Sequence, residues 1–437
     1  MMKKIIYPLI GLLVIAAAVV LIVRKPNSDD PKEDHLELSS DIVAVEKQYA
    51  DTKKDNLKWE YNEATKTIVI SGEGAMKSYI DSEPEWYRLN NEAEKLVIGD
   101  KVTSIGDSAF SYFSQLSEVK LGASVEYIGF GAFDNCMNLR TVNFPGSLKY
   151  IGDYAFNNDL LHSDNGFVLP NGILYLGKSS FRSAFKESFV SIPASLATIE
   201  YNAFDNCFVE EFRVDEANQN YKSQDGIFYD KDATILINYP AAKNSNSKLF
   251  EIPSTVTTIK KEAIVATNDL EKIVIPKSVA TIEEGAIFWN YGLKYIDVSQ
   301  DNANYQSIDG VLYTKDGKHL VSYPIASERD EYTVLDTAEE IQTYAISQAN
   351  NLKKLHIKEG VKSLNEGAIY LCKNLEEIDL PKSLQQISEY ALEYNDNLKL
   401  IKYASTKSDW DNIKVKDNNT TLQSSHLKID FASLDNK

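Results

Sequence analysis

A recurrence constrains this chain more than any other feature. The stretch Ile105-Gly-Asp-Ser-Ala-Phe110 returns nine more times, with its first aliphatic residue at Ile105, Ile128, Ile151, Leu176, Ile199, Ile259, Ile282, Ile341, Leu364 and Ile387. Most steps are 23 residues and one is 25, whereas two are 60 and 59, one period plus an insert of nearly constant size. A period in this range belongs to solenoids, in which no unit buries its apolar face alone and stacked neighbours share one long core.

Each unit begins with a run such as Leu116-x-x-Val119-x-Leu121, repeated at Leu139/Val142/Phe144, Leu270/Ile273/Ile275, Leu352/Leu355/Ile357 and Leu375/Ile378/Leu380. Alternation of this kind predicts a short strand with one face buried, stacked in parallel on its neighbours. Four residues after the aligned aliphatic position comes Ala in every unit but one, where Ser180 stands. Only a tight position excludes everything larger. The next column reads Phe110, Phe133, Phe156, Phe181 and Phe204, then Ile264, Ile287, Ile346, Ile369 and Leu392. Close packing forbids a void where Phe gives way to Ile, so the backbone path must change near the first insert. The pattern predicts an α/β leucine-rich-repeat solenoid, right-handed, with short parallel strands and about ten 23-residue turns over 95–402.

The inserts, 215–248 and 299–330, resemble each other at a constant offset of 84: Tyr221-Lys-Ser-Gln-Asp-Gly226 corresponds to Tyr305-Gln-Ser-Ile-Asp-Gly310. In the second, Val311–Thr314 and His319–Ser322 flank an Asp-Gly turn and predict a β-hairpin. Interfaces concentrate their energy in a few aromatic or Arg anchors. The candidate partner contacts are therefore the insert tyrosines Tyr221, Tyr229, Tyr239, Tyr305, Tyr313 and Tyr323.

The flanks read differently. Ile5 to Val23 are 19 uncharged, almost wholly apolar residues, long enough as a helix to cross the hydrocarbon core. Lys3 and Lys4 precede them, which leaves residues 1–4 in the cytoplasm and the repeats outside. Cleavage after the Ala16–Ala18 stretch, releasing a secreted chain, is the competing reading. Residues 24–56 are polar and acidic, an extended extracellular stalk whose only candidate element is a short amphipathic helix around 40–50. Residues 57–94, with strand-like runs at Leu57–Tyr61 and Thr67–Ser71, predict a β cap over the first turn. Residues 403–437 break the motif, with Trp410 in the aligned column, and predict the C-terminal cap and tail.

A formal charge of −18 argues against nucleic acid as a partner. Cys136, Cys207 and Cys372 each lie eight residues after the aligned position, in one column. Turns ~4.8 Å apart would put the nearest pair roughly 14 Å from each other, beyond disulfide reach. The five histidines show no metal-ligand spacing, and no phosphate loop or nucleophile elbow occurs. Asp230, Asp232 and Asp316 fall short of a calcium loop. The expectation is no cofactor, no metal and no enzyme.

Units of the form L-x-x-I-x-I-P-x-S-V-x-x-I-x-x-x-A-[FI], as in Leu270–Ile287, resemble the BspA-type leucine-rich repeat. The insert around Asn304–Tyr313 and the segment around Thr406–Ile413 resemble features of the same family. The resemblance implies a surface or secreted protein, of a kind that in some members adheres to host matrix proteins or other cells. It carries no catalytic site. The chain departs from exported relatives in its N-terminal anchor and in lacking a sorting signal before Lys437. The expectation is a single-pass membrane protein whose extracellular repeats bind a protein ligand. The alternative is a structural scaffold in a cell-envelope complex.

The outward strand positions, Lys120, Asn143, Ser191, Arg213, Glu251, Val274, Asp297, Thr333, His356, Asp379 and Lys402, mix charges. The row beside them carries Phe189, Leu249, Tyr295 and Leu400 and forms no continuous aromatic stripe.

Overall fold

The computed structural model describes residues 39–49, 52–163, 166–243 and 248–432. The apolar segment 5–23 and the acidic segment up to 38 lie outside them. No helix among the described residues is long and apolar enough to cross a membrane.

The solenoid is built from two rows of short strands. In the first row Lys95–Ile98, Glu118–Lys120 and Thr141–Asn143 pair in parallel, with Leu96 and Val119 buried and their neighbours turned outward. In the second, Ile105, Ile128, Ile151, Leu176 and Ile199 stand in register on successive strands. The loop that follows holds the Ala and Phe columns. It reverses through two left-handed residues, at φ 53° and 61° in Ser108 and Tyr112, and at 56° and 60° in Tyr154 and Asn158. A side chain in that region costs about 1 kcal/mol. The cost is offset by bonds to the next turn: Ser108 N–H to Phe130 O, Phe110 N–H to Ala132 O and Tyr112 N–H to Asp134 O, all at 2.8 Å. Between the two reversals the Ala has no room to grow; Ala109, Ala132 and Ala155 are wholly buried.

The Phe column is a stack. Trp86 of the N-terminal cap starts it 5.5 Å from Phe110, and the ring centroids continue at 5.6, 5.2, 5.3 and 5.9 Å to Phe204. There it leaves its column for Phe212 and Phe228, at 5.6 and 5.4 Å. The first-row ladder stops at the same place: Phe208–Val214 ends one sheet and Leu249–Glu251 starts another. The path changes where Phe gives way to Ile.

The cysteine column is a hydrogen-bond ladder. Cys136, Cys207 and Cys372 donate their thiols to the carbonyls of Phe110, Phe181 and Ile346 at 3.1, 2.9 and 3.0 Å. Asn290 and Asn395 occupy the same column and donate to Ile264 and Ile369 at 2.9 and 2.8 Å. All three cysteines are free and buried.

Each insert is a three-stranded meander, one strand more than the sequence suggested. Tyr221–Gln224 pairs antiparallel with Ile227–Asp230 through a turn at Asp225 and Gly226. Ile227–Asp230 pairs antiparallel with Ile235–Asn238. That last strand then joins the second row, Leu236 lying against Ile259. Leu320 of His319–Ser322 joins Ile341 in the same way. The inserts are thus turns of the solenoid. The count is about 13, not ten, and the architecture is a β-solenoid with few helices rather than α/β.

The two ends also differ from expectation. Ser40–Tyr49 is an α-helix whose buried Ile42, Val45 and Tyr49 pack on the second row, Tyr49 lying 5.5 Å from Tyr127. From Ser39 onward the chain is therefore part of the solenoid unit and not a stalk. Lys58–Asn62 pairs antiparallel with Thr67–Ser71, which in turn pairs in parallel with Lys95–Ile98 of the first row. At the other end Val415, not Trp410, pairs with Ile387. Trp410 packs beside Tyr403 and Phe431 at 5.4 and 6.5 Å.

Burial pushes the Cys207 and Cys372 thiols up to about 12 and raises that of Cys136. All three should therefore resist a thiol reagent in the native chain and react only after denaturation. A titratable native thiol at pH 8 would contradict this packing.

Candidate protein-binding face

The outward face of the first row is laced with ion pairs. Lys95 meets Glu118 at 3.0 Å, Arg213 Nε meets Glu211 at 2.7 Å, and Lys402 pairs with Glu377. His356 lies between two carboxylates, Nε2 2.8 Å from Glu331 and Nδ1 2.6 Å from Asp379. Solvated pairs of this kind contribute about 0–1 kcal/mol each and exclude no partner. Phe189 is covered by Arg213, whose guanidinium carbon lies 3.7 Å from the ring centroid.

The six insert tyrosines lie inside. All are less than a tenth exposed, so their rings are unavailable at the surface of the folded chain. They mend the ladder. Tyr221 and Tyr305 hydroxyls accept from the backbone N–H groups of Ile199 and Ile282 at 3.0 and 2.7 Å, where a parallel strand would otherwise have done so. Tyr313 meets Tyr332 hydroxyl to hydroxyl at 2.6 Å, Tyr323 packs 4.9 Å from Tyr332, and Tyr239 packs 4.6 Å from Phe250. Tyr229 is fully enclosed. Strand alternation gave the two faces of each insert but not which face the next turn would cover. The calcium candidates close turns instead: Asp230 accepts from Thr234 Oγ1 at 2.7 Å, and Asp316 from Lys318 N at 3.0 Å.

What the inserts present outward is their tips. The first tip bonds the outer strand through Phe212 N–H to Gly226 O at 2.8 Å, the second through Ile296 N–H to Gly310 O at 3.0 Å. Both glycines have positive φ, 75° and 80°. A Cβ at Gly226 would stand 2.6 Å from Glu211 Cβ, and one at Gly310 3.0 Å from the Tyr295 ring. A cation bonds the carbonyl of each tip, Lys243 at Asp225 and Arg329 at Asp309.

On this common scaffold the surfaces diverge. Where the first tip has Glu211 and Gln224, the second has Tyr295, 54% exposed, and Ile308, 36% exposed. A shallow depression beside Tyr295 is lined by Lys294, Ser327, Glu328 and Arg329. Ile308 was legible only as a mismatch between two otherwise corresponding segments.

The loop side of the solenoid has its own cluster. Glu262 faces Asp205, which Arg182 Nε holds at 3.0 Å. Among the described residues no group of three or more His, Cys, Asp or Glu could hold a metal ion.

The period, the columns and the hydrogen-bonded turns agree with a family match. The family described as BspA type leucine rich repeat region matches residues 85–210, 235–312 and 327–434 in six copies. The chain belongs to the BspA-type leucine-rich-repeat family. The first gap in that match, 211–234, holds the first tip. A leucine-rich repeat protein from Eubacterium ventriosum has a similar fold, at 24% identity and a TM-score of 0.55, covering 79% of this chain and 88% of that one. A leucine rich cell surface protein from Faecalibacterium prausnitzii is 20% identical, with a TM-score of 0.48, covering 83% and 97%. No curated protein matches.

Within this BspA-type solenoid, burial pushes the Glu262 carboxyl up to about 8, and the facing Asp205 adds to the shift. Between its ordinary value of 4.5 and about 8 the unfolded chain gives up this proton while the folded chain keeps it. Its contribution to stability is therefore full below pH 4.5 and is lost as pH rises toward 8. Glu262→Gln should flatten this decline: the fall in Tm from pH 5 to pH 8.5 should be smaller than in the parent. An equal fall in both would place the ionisation elsewhere.

Proposed function

We propose that this chain is a membrane-anchored protein-binding or adhesion module, displayed outside the cell, that docks a partner protein around the second insert tip. Leucine-rich repeats generally bind proteins, and the Faecalibacterium relative is described as a cell surface protein. One observation carries the choice of site. Tyr295 and Ile308 are exposed at positions where the sister insert, under the same backbone constraints, has Glu211 and Gln224. The scaffold does not need them.

An aromatic ring, an aliphatic side chain and the nearby Arg329 form the kind of anchor that dominates interface energies. The charged pairs around it serve as a polar rim. The anchor at Ile5–Val23 rests on sequence alone. Protease added to intact cells should remove the repeats and leave a small membrane-retained fragment; full protection of the repeats would reverse the orientation.

The binding site has its own test. A chain carrying Tyr295→Glu and Ile308→Gln, which copies the first tip onto the second, should fold with unchanged Tm. It should bind its partner, captured from intact cells, at least tenfold more weakly, a loss of about 1.4 kcal/mol. The opposite change, Glu211→Tyr with Gln224→Ile, should leave existing binding intact. Undiminished binding by the first variant would refute the tip as the site. Capture of envelope components of the same cell would favour the scaffold alternative.

A further inference from the structure

A solenoid made by stacking has two ends, and neither end of the first row is paired among the described residues. Lys58–Asn62 is the outermost strand at the N-terminal end and Lys428–Phe431 at the C-terminal end. The second row stops at the same two ends, at Gly74–Ala75 and Lys414–Val415. An edge strand offers a row of unpaired N–H and C=O groups, a template for another strand.

Ladder alternation decides which residues each edge presents. The N–H groups of Lys428 and Ala432 bond inward, to Lys399 O at 2.8 Å and Tyr403 O at 3.1 Å. Ile429 and Phe431 therefore face the open side. At the other end Lys95 and Gly99 N–H groups bond Lys66 O at 3.2 Å and Ile70 O at 2.9 Å. That turns Thr67, Val69 and Ser71 toward their partners Asn62, Glu60 and Lys58. Trp59 and Tyr61 are left on the open side.

Consider a second copy stacked on the C-terminal end in the same orientation. Its Lys58–Asn62 strand runs against the first-row direction, and Lys428–Phe431 runs with it, so the new pair is antiparallel. Open-side residues must then stand opposite each other to exchange hydrogen bonds. Setting Trp59 opposite Ile429 does this. It also sets Lys58 opposite Asp430 and Glu60 opposite Lys428, two opposite-charge pairs on the outward face. On the inward face Leu57 meets Phe431 and Tyr61 meets Leu427. A shift of two residues, the smallest that keeps the alternation, puts Lys58 opposite Lys428 in one direction and Glu60 opposite Asp430 in the other. Like charges directly opposite are destabilising. Of the three registers only one satisfies both hydrogen bonding and charge.

The apolar residues matched by that register are those each end leaves half covered. Leu57, Trp59 and Tyr61 are only partly buried on the N-terminal core, as are Leu427, Ile429 and Phe431 on the C-terminal one.

We propose that the chain assembles head to tail with further copies of itself, Lys58–Asn62 of one copy pairing antiparallel with Lys428–Phe431 of the next. The two surfaces differ, so symmetry does not close the contact and each added copy leaves a new open end. The product is one continued solenoid. The second insert tip takes no part in the contact.

The test uses the full chain in mild detergent. Lys58→Cys with Asp430→Cys places thiols across a non-hydrogen-bonded antiparallel pair, about 4.5 Å between Cα atoms and within disulfide range. The native cysteines are buried and do not compete. Mild oxidation should give dimers, trimers and longer species on a non-reducing gel. Charge exchange supplies a second readout. Lys58→Glu with Glu60→Lys inverts one edge; Lys428→Glu with Asp430→Lys inverts the other and keeps the ion pair within it. Either exchange alone should weaken self-association, measured by sedimentation, by about tenfold or more at unchanged Tm. The two together should restore it. A chain that stays monomeric, cross-linking that stops at the dimer, or association that survives a single exchange would overturn the proposal. So would cross-linking that appears only after residues 433–437 are deleted, which would assign the edge to the chain's own tail.

Discussion

Every element of this molecule depends on the hydrogen bonds that one turn makes to the next. The strands are two to seven residues long and cannot hold themselves together. Their N–H and C=O groups, and those of the left-handed loops, find partners only on neighbouring turns. An irregularity therefore cannot be left open. It must be mended by a side chain or by a strand from elsewhere, because a buried backbone group without a partner costs as much as a lost hydrogen bond. The insert residues do this mending. Asn218 donates to Pro193 O and Leu196 O at 2.8 and 3.1 Å and accepts from Tyr221 N at 2.9 Å. Asn302 repeats the clamp on Pro276 and Val279 at 2.8 and 3.0 Å.

The same dependence explains what could be read from the sequence. The period, the paired strands, the Ala and Phe columns and the separation of the cysteines follow from residue type at fixed spacing. The packing of the next turn enforces all of them. The two missed turns kept the aligned residue, as Leu236 and Leu320, but lost the Ala-Phe signature because their loops are two residues shorter. The six tyrosines were misplaced for a related reason. Tyrosine suits both an exposed anchor and a buried hydroxyl that caps a backbone N–H, and only the register of the following turn decides. The helix Ser40–Tyr49 is legible as a candidate in the sequence, but its acidic surroundings point to a stalk and not to a docked element. Three apolar residues on one face were enough once a row of tyrosines, Tyr127, Tyr150 and Tyr175, stacked at 4.7 and 4.5 Å, was there to receive them.

Glu262 shows the limit of sequence reasoning most clearly. Nothing distinguishes it in the chain from the other acidic residues in the columns around it. Its raised proton affinity comes from burial and from the facing Asp205, working against Arg182; both residues lie on turns separated from it by a whole insert. Repeat spacing alone would not bring them together; the shortened turn does.

That shortened turn connects the two faces. Inserting a meander into a solenoid adds residues on the strand side, where the extra strands end in a tip. The return strand must still rejoin the second row in register, and it reaches the Phe column two residues early. A projection on one face thus entails a missing corner on the other. The first insert has a charged tip, Glu211 and Gln224, and leaves its corner unbridged at Asn202 and Glu262. The second has an apolar tip, Tyr295 and Ile308, and closes its corner with Glu284, Thr343 and Asn365. The duplicated device has therefore diverged in opposite senses: where the tip is apolar the corner is bridged, and where the tip is charged it is not.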